Sequence, residues 1–530
     1  MDVILELTKI GESKNMNRKM DIFKSAALVT FMMLCFKAFG FVKQAVIAYC
    51  YGATLETDAY FIAWGFVSGM SEAIVKALLV SLVAIYTNIR IVKGKEDAKK
   101  LINGLIEVLF PVFTLVALTI YIVAPLISKL LAPSYNGSEL GNLIVYIRFL
   151  SPILLFGCLE MVFSSVLDSH RRFLIPRLQS FIYSLSVIGC CLFLSKQFGI
   201  SALILAQYIS SVCYSFMLVV VIGQYHKFFF VKINEIPALK SIVVTAIPLF
   251  IGNSAIQINQ IVDKSITSNL GNGAVSALSY CHTLEQFVTN IMIVNIGNVM
   301  FANFAEFVAK NEISKIENVL AKAIDILVCL LFYISIITII CAKDIVSIVY
   351  YRGSFTYEAL SLTAVALIGY AISFVFVAIR DLTIKSLYAF KDTKNPMIIS
   401  FISIFINIIL SVILSKHIGI IGISLATSIS SFVGMILNAN ALMKYLKTYK
   451  YSRHLVTLMK CMPAGVVIIF MCAAFDNIVS LNVYMRFLVY GAVGLIVYIF
   501  VLYICDVKEI KVVLNRVFDK LKISQNRRKL

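Results

Sequence analysis

The sequence predicts an all-α polytopic membrane protein of about 14 transmembrane helices, built as two pseudo-symmetric six-helix lobes plus a C-terminal helix pair. Three observations predict it. Apolar stretches of span length recur from end to end, the loops between them alternate between basic and nearly uncharged, and landmarks of the first half return in the second. A helix needs about 20 apolar residues to cross a hydrocarbon core about 30 Å thick. Composition agrees: 60% of the 530 residues are hydrophobic and 14% charged, with a mean hydropathy of +0.92. Soluble chains carry about 25% charged residues. The apolar runs are continuous rather than alternating, which excludes outer-membrane strands.

Taken in order, residues 1–22 form a polar N-terminal segment of mixed charge. The apolar run after it is too long for a signal-peptide core and has no cleavage site. The first lobe, 23–225, holds spans at 23–51, 57–89, 99–131, 139–168, 174–195 and 202–224. The second lobe, 226–445, holds 240–270, 273–307, 317–350, 357–389, 396–415 and 418–443. Region 446–506 carries the last pair, 457–475 and 483–505, and a basic tail occupies 507–530. From Lys508 to Lys529 the tail reads as a solvated topology signal, with an amphipathic helix on anionic lipid as the alternative.

Basic residues set the orientation. The N-terminal segment, the even-numbered loops and the tail hold about 32 Lys and Arg, whereas the odd-numbered loops hold about five: Lys129, Lys196, Lys343, Arg352 and Lys416. Basic loops resist translocation, so the expectation is a multi-pass protein of the bacterial cytoplasmic (inner) membrane with both termini cytoplasmic. The net charge of +19 then needs no nucleic acid partner. Twelve cysteines are scattered without a CxxC pair, and the five histidines lack metal-ligand spacing, so neither disulfides nor metal are expected. The chain has no GxxxxGK[ST] loop and no loop long enough to be a catalytic domain, so it is not read as an enzyme.

The halves repeat at an offset of 220 residues. Leu194-Ser195-Lys196-Gln197-Phe198-Gly199-Ile200 ends the fifth span, and Leu414-Ser415-Lys416-His417-Ile418-Gly419-Ile420 ends the eleventh. Pro176 and Pro396 open the same two spans, and Tyr51-Gly52 matches Leu270-Gly271 one residue out of step. Six spans are an even number, so the two lobes share one orientation. Parallel repeats of this kind flank a central cavity with a substrate site near the midplane. A duplication that only stabilises a bundle is the bland alternative, but it would leave costly charges idle.

Those charges are Lys37 and Lys43 in the first span, Asp58, Glu72 and Lys76 in the second, Arg148 and Glu160 in the fourth, Asp263 and Lys264 in the seventh, Glu285 in the eighth, and Arg380, Asp381 and Lys385 in the tenth. A charge at the bilayer centre costs about 2.5–3.5 kcal/mol on insertion scales, so it faces a partner or a wet cavity. Glu72 and Lys76, four apart, can pair. Lys37 and Lys43 lie about 240° apart around a regular helix, so facing one cavity requires a bend, which Gly40 permits. No acid in that span neutralises them, and an unpaired cationic wall suits an anionic head group such as a pyrophosphate. Asp58 reads either as an N-cap or first-turn acid of its own helix or as an outer-gate partner for a cation of the other lobe.

At these residues the chain resembles the MurJ/MviN lipid II flippase family of the multidrug/oligosaccharidyl-lipid/polysaccharide exporter superfamily. The resemblance is carried by Lys37-Ala38-Phe39-Gly40-Phe41-Val42-Lys43-Gln44-Ala45, Tyr51-Gly52-Ala53 and Thr57-Asp58-Ala59-Tyr60-Phe61. Further matches follow in order: Ala132-Pro133, Arg172-Phe173, Ile175-Pro176, Gln257-Ile258-Asn259, Val262-Asp263, Gly273 to Leu278, Tyr280, Tyr351 to Thr356, Lys391-Asp392 and Pro396. The resemblance implies a fourteen-span flippase whose cavity cations bind the pyrophosphate of a lipid-linked sugar. Two family arginines match Lys37 and Lys43. A third falls near Ser71-Glu72 and a fourth matches Thr283, beside His282, so the cationic wall is thinner than in typical members. The expected substrate-binding set is Lys37, Lys43, Asp58, Glu72, Lys76 and His282. A Na⁺ site known in some members matches Asp263, Asn407 and Thr427, and Ser411 stands where a second acid would be. Asn407 and Thr427 read equally well as interhelical hydrogen-bond glue.

The function expected is translocation of a polyprenyl-pyrophosphate-linked cell-wall precursor, lipid II or a related lipid-linked oligosaccharide, by alternating access in peptidoglycan and cell-wall biosynthesis. The driving force would be Na⁺ or the membrane potential, with no cofactor. The partners would be the lipid-linked substrate, membrane lipids and cell-wall synthesis proteins. The alternatives are a cation-coupled multidrug exporter of the same superfamily, which would favour an anionic aromatic cavity, and a non-transporting scaffold of a cell-wall assembly complex.

Overall fold

The computed structural model describes residues 18–170, 172–223, 238–478, 481–507 and 511. The expectations for residues 1–17, for the connection 224–237 and for the tail beyond Lys511 lie outside the described residues. Each predicted span has its helix. In the first half these are α1 (Arg18–Tyr51), α2 (Leu55–Val92), α3 (Lys95–Leu131), α4a (Gly137–Leu150) with α4b (Ile153–Ser169), α5 (Leu174–Phe198) and α6 (Ser201–Ile222). The second half holds α7 (Leu239–Thr267), α8a (Ala274–Thr289) with α8b (Asn295–Ala309), and α9a (Ile313–Ile340) with the short α9b (Ala342–Tyr350). It continues with α10a (Tyr357–Ala371) and α10b (Phe374–Ala389), α11 (Lys394–Ile418) and α12 (Ile420–Leu442). The last pair is α13 (Ser452–Ile478) and α14 (Val483–Ile504). Among the described residues, 12 helices are long and apolar enough to cross a membrane, or 13 with the bent pair α10a–α10b, whose halves meet at 46°. With the 34 residues of α1, they correspond one to one with the predicted spans.

The repeat is visible in the backbone. α5 and α11 each have 25 residues. Both end on a glycine in a conformation that favours residues without a Cβ: Gly199 at φ 52°, ψ −140° and Gly419 at φ 65°, ψ −142°. Each of these glycines donates its N–H to the serine carbonyl four residues back, Ser195 at 2.9 Å and Ser415 at 3.0 Å. The fourth and tenth spans break at matching positions. Pro152 stands at the first break, where it lacks a donor and crowds the preceding turn. The second break has no proline; there the Ser373 hydroxyl donates to the Tyr370 carbonyl at 2.7 Å, competing with the helix ladder.

Two compact units form, Met1–Ser276 with Gly353–Phe355, and Ala277–Arg352 with Thr356–Leu530. Helix pairings recur between them: α5 on α6, α4b on α6 and α3 on α4b in the first; α11 on α12, α10 on α12 and α9a on α10b in the second. One element departs from the repeat. α1 packs on α5, but its counterpart α7 packs along α2 and so belongs to the first unit. The sequence repeat turns over between α6 and α7, whereas the compact unit runs on through α7.

In the second unit, α9 carries a buried carboxylate near each end, and α13–α14 hold both. Asp325 accepts from Arg453 Nε at 2.8 Å, from Thr457 Oγ1 at 3.0 Å, and bonds His454 Nδ1 at 2.6 Å. Asp344 is gripped by both Nε and Nη2 of Arg486. Between them the Tyr498 hydroxyl donates to the Cys329 carbonyl at 2.7 Å.

Candidate functional site

The two lysines of α1 have different surroundings. Lys43 is half-buried, with its ammonium 4.1 Å above the Tyr183 ring of α5, a cation–π contact. Tyr183 is itself fixed: its hydroxyl accepts from Gln207 Nε2 of α6 at 2.8 Å, and its ring lies 5.8 Å from that of Trp64, the single tryptophan. Lys37 is exposed and has no hydrogen-bond or ion-pair partner among the described residues. α1 runs through Gly40 as one unbroken helix. Around Lys37 the helix packs on α5 through Phe36 and Phe39, whose rings lie 5.5 and 4.9 Å from that of Phe181.

Asp58 has a role the sequence did not disclose. Thr54, not Asp58, caps α2, its hydroxyl accepting from Thr57 N at 3.3 Å. The Asp58 carboxylate is completely buried and accepts from Gly273 N at 2.8 Å, Ser276 N at 2.7 Å and Ser276 Oγ at 2.5 Å. It therefore caps α8a, where unpaired N–H groups and the helix dipole favour an anion. Asp58 is thus a first-turn acid of α2, as one reading had it, but it is not that helix's N-cap and no cation stands against its carboxylate among the described residues; its oxygens are taken up by the start of α8a. The turn at 353–355 joins the same cluster, with Ser354 N donating to the Tyr49 carbonyl at 2.9 Å and Ser354 Oγ to the Cys50 carbonyl at 3.2 Å.

Glu72 and Lys76 pair as their spacing predicts, at 2.6 Å, with side chains 52% and 60% exposed. Gln257 Nε2 of α7 also reaches Glu72, at 3.3 Å. This polar seam between α2 and α7 continues along the two helices. The Lys264 ammonium donates to the Phe61 carbonyl at 2.9 Å, and a Cβ on Gly65 would collide with it. One turn on, a Cβ on Gly69 would lie 3.1 Å from Gln257 Oε1. Gly65-x-x-x-Gly69 is the small-residue pattern that lets membrane helices approach closely, and it was the available signal for the α2–α7 contact.

His282 lies in the second unit, its Nδ1 3.2 Å from Glu285 Oε2 and its Nε2 2.9 Å from Gln286 Nε2. One helix away, Arg380 Nη1 donates to Ser431 Oγ at 3.5 Å, and Lys385 donates to Asn298 Oδ1 at 3.2 Å. Lys385 therefore meets α8b just past the π-helical turn Asn290–Val294, a feature that often marks functional helices. Of the expected cation ligands, Asp263 lies in the first unit and takes a hydrogen bond from Asn259 Nδ2 at 3.3 Å. Asn407 and Thr427 lie in the second, joined to each other at 3.1 Å from Asn407 Nδ2, which also reaches Ser430 Oγ at 3.5 Å. That bond ties α11 to α12.

A duplicated set of six spans, broken fourth and tenth helices and in-span charges define a multi-pass helical membrane protein of the transporter class. The family profile of the lipid II flippase MurJ matches residues 47–498, and the chain belongs to that family, which is one of transporters and not of catalysts. A MurJ relative from Buchnera aphidicola subsp. Schizaphis graminum is 27% identical over 435 residues, 79% of this chain and 82% of that one. The lipid II flippase MurJ of Burkholderia cenocepacia is 20% identical over 430 residues, 79% and 83% of the two chains. A solved lipid II flippase MurJ in an inward closed conformation superposes with a TM-score of 0.78 at 22% identity, covering 90% of this chain and 98% of that one. An inward-facing multidrug resistance MATE family transporter of the MOP superfamily gives 0.64 at 15% identity, covering 78% and 95%. At these identities the structural likenesses speak to fold.

Proposed function

We propose that the chain flips a polyprenyl-pyrophosphate-linked cell-wall precursor, lipid II in the first instance, from the cytoplasmic to the outer leaflet of the bacterial cytoplasmic membrane. Family membership over residues 47–498 supports the substrate class. The observation that carries the reading in this chain is Lys37, an exposed in-span cation without a partner among the described residues. A charge held there at a cost needs an anion, and a pyrophosphate supplies one. Lys43, steadied on Tyr183, is the second cation. Lysine binds phosphate as a point charge without arginine's fork, which suits a head group that is gripped and then released.

In this reading both termini are cytoplasmic, the two repeats alternate access to the head group while its polyprenyl tail stays in the bilayer, and Na⁺ or the membrane potential drives the cycle. Asp263 is the one carboxylate of the expected Na⁺ set, and cell-wall synthesis proteins are the expected partners. Complementation of a strain depleted of its lipid II flippase tests the reading. The wild-type chain and Lys43→Arg are expected to rescue growth, and Lys43→Ala to insert normally but fail. Rescue by Lys37→Ala/Lys43→Ala would refute the cationic site. Failure of the wild type, with drug resistance conferred instead, would favour a cation-coupled exporter.

A further inference from the structure

Glu160 plays no part in head-group binding as proposed above, yet it is one of the most deeply placed charges in the first repeat. It lies in α4b and is 8% exposed. Its neighbours Leu159 and Met161 belong to an apolar core to which α2 gives Leu82, α3 gives Leu101 and Leu105, and α6 gives Leu218. Its carboxylate accepts one hydrogen bond, from Gln179 Nε2 of α5 at 2.6 Å. Among the described residues no lysine, arginine or histidine stands within ion-pair distance.

The polar groups on the helices packed around it are committed elsewhere. On α6 the Tyr214 hydroxyl bonds Ser164 at 3.2 Å and the Pro176 carbonyl at 3.1 Å. On α5 Arg177 is held by Asp168 at 2.5 Å. On α2 Ser71 and Val75 lie against Gly157, and Glu72 and Lys76 hold each other. Three other buried acids are more fully compensated: Asp58 caps a helix, Asp325 holds Arg453 and His454, and Asp344 holds Arg486. Glu160 has a single neutral amide on one oxygen. It can take a proton on Oε1, while Oε2 keeps the Gln179 bond, without breaking an ion pair. Asp168, on the same helix as Glu160 but locked to Arg177 of α5, cannot.

The repeat adds a second observation. The residue 220 positions on is Arg380, which follows the matching break of the tenth span. Each repeat thus places a charge at this position, of opposite sign. Intramembrane carboxylates that lack a fixed cation mark ion and proton pathways.

We propose that Glu160 is a proton-binding site through which a transmembrane proton gradient acts on transport, with Gln179 as its positioning residue. The coupling rests on the flippase reading; the proton site does not. The test uses the full chain in phospholipid vesicles, with peptide-labelled lipid II as cargo and the membrane potential clamped at zero. Infrared difference spectra on pH titration should show a carboxyl band in wild type that Glu160→Gln lacks. For one proton per cycle, a one-unit pH step should shift the leaflet distribution of lipid II by up to about tenfold in wild type, and by less than about twofold in Glu160→Gln. If Glu160→Gln fails to insert, Gln179→Leu keeps the carboxyl but removes its one hydrogen-bond donor, and should move both the midpoint of the band and the pH dependence of the leaflet distribution; a structural role would move the band without moving the leaflet response. An unchanged band in both variants, or a full gradient response in Glu160→Gln, would overturn the proposal. If wild type moved no lipid II at any pH, the flippase reading and the coupling would fall together, while a titrating band would still support the proton site.

Discussion

Removing the Asp58 carboxylate should be among the most damaging single changes to stability in the first unit. Three donors converge on it at 2.5–2.8 Å, two of them backbone N–H groups at the start of α8a. Hydrogen bonds to a charged group contribute about 1.5–3 kcal/mol each, and buried donors left unpaired cost about 1–3 kcal/mol. Allowing for non-additivity within one cluster, Asp58→Ala should destabilise by roughly 3–6 kcal/mol. Asp58→Asn keeps one acceptor but turns an amide donor toward an N–H, and should lose roughly half of that. Ser276→Ala loses only the hydroxyl bond and should cost about 1–2 kcal/mol. Equilibrium unfolding of the purified protein in mixed detergent micelles, following helicity, would rank the three. If Asp58→Ala lay within about 0.5 kcal/mol of wild type, a range typical of unimportant surface changes, the capping argument would be refuted.

Gly65→Ala should displace the Lys264 ammonium from the Phe61 carbonyl and destabilise by about 1–3 kcal/mol as an overpacked contact; Lys264→Met should relieve much of that, read as coupling in a double-mutant cycle. Asp392, in the turn between α10b and α11, accepts from Asn395 N, Asn395 Nδ2 and Tyr445 Oη at 3.1, 2.6 and 3.1 Å. Burial pushes its carboxyl up, but these bonds outweigh burial and hold it below the usual carboxylate range. Its contribution is therefore present at neutral pH and lost as pH falls through that depressed value, so acid titration should weaken wild type more than Asp392→Asn, and parallel acid profiles would contradict this. In a background without native cysteines, Lys95→Cys should react with an impermeant thiol reagent only after the membrane is opened; labelling from outside would reverse the assigned orientation.

Span positions were legible because hydropathy is a local property, and the Gly199 and Gly419 corners were legible because a turn needing a residue without Cβ leaves a mark in sequence. The Glu72–Lys76 pair followed from helical spacing alone. Contacts between distant segments were not legible. Asp58 sits in a motif that looks like a local cap, and only the arrival of Gly273 and Ser276, 215 and 218 residues on, gives it another helix to cap. Tyr183 and Gln207 carry no charge to draw attention, yet they form the seat of Lys43. The α2–α7 contact left only the glycine spacing at 65 and 69, which does not say which helix fills the gap.

The divided loyalty of α7 bears on how such a chain could have arisen and how it can be taken apart. A tandem duplication delivers two equal gene halves, but here the seventh helix lies along α2, inside the first compact unit. A gene split between α6 and α7 would make the first fragment wait for a helix encoded by the second. A split between α8b and α9a would deliver α7 with its neighbour. Paired fragments expressed from two plasmids should therefore assemble more readily from the later cut, even though the earlier one follows the duplication.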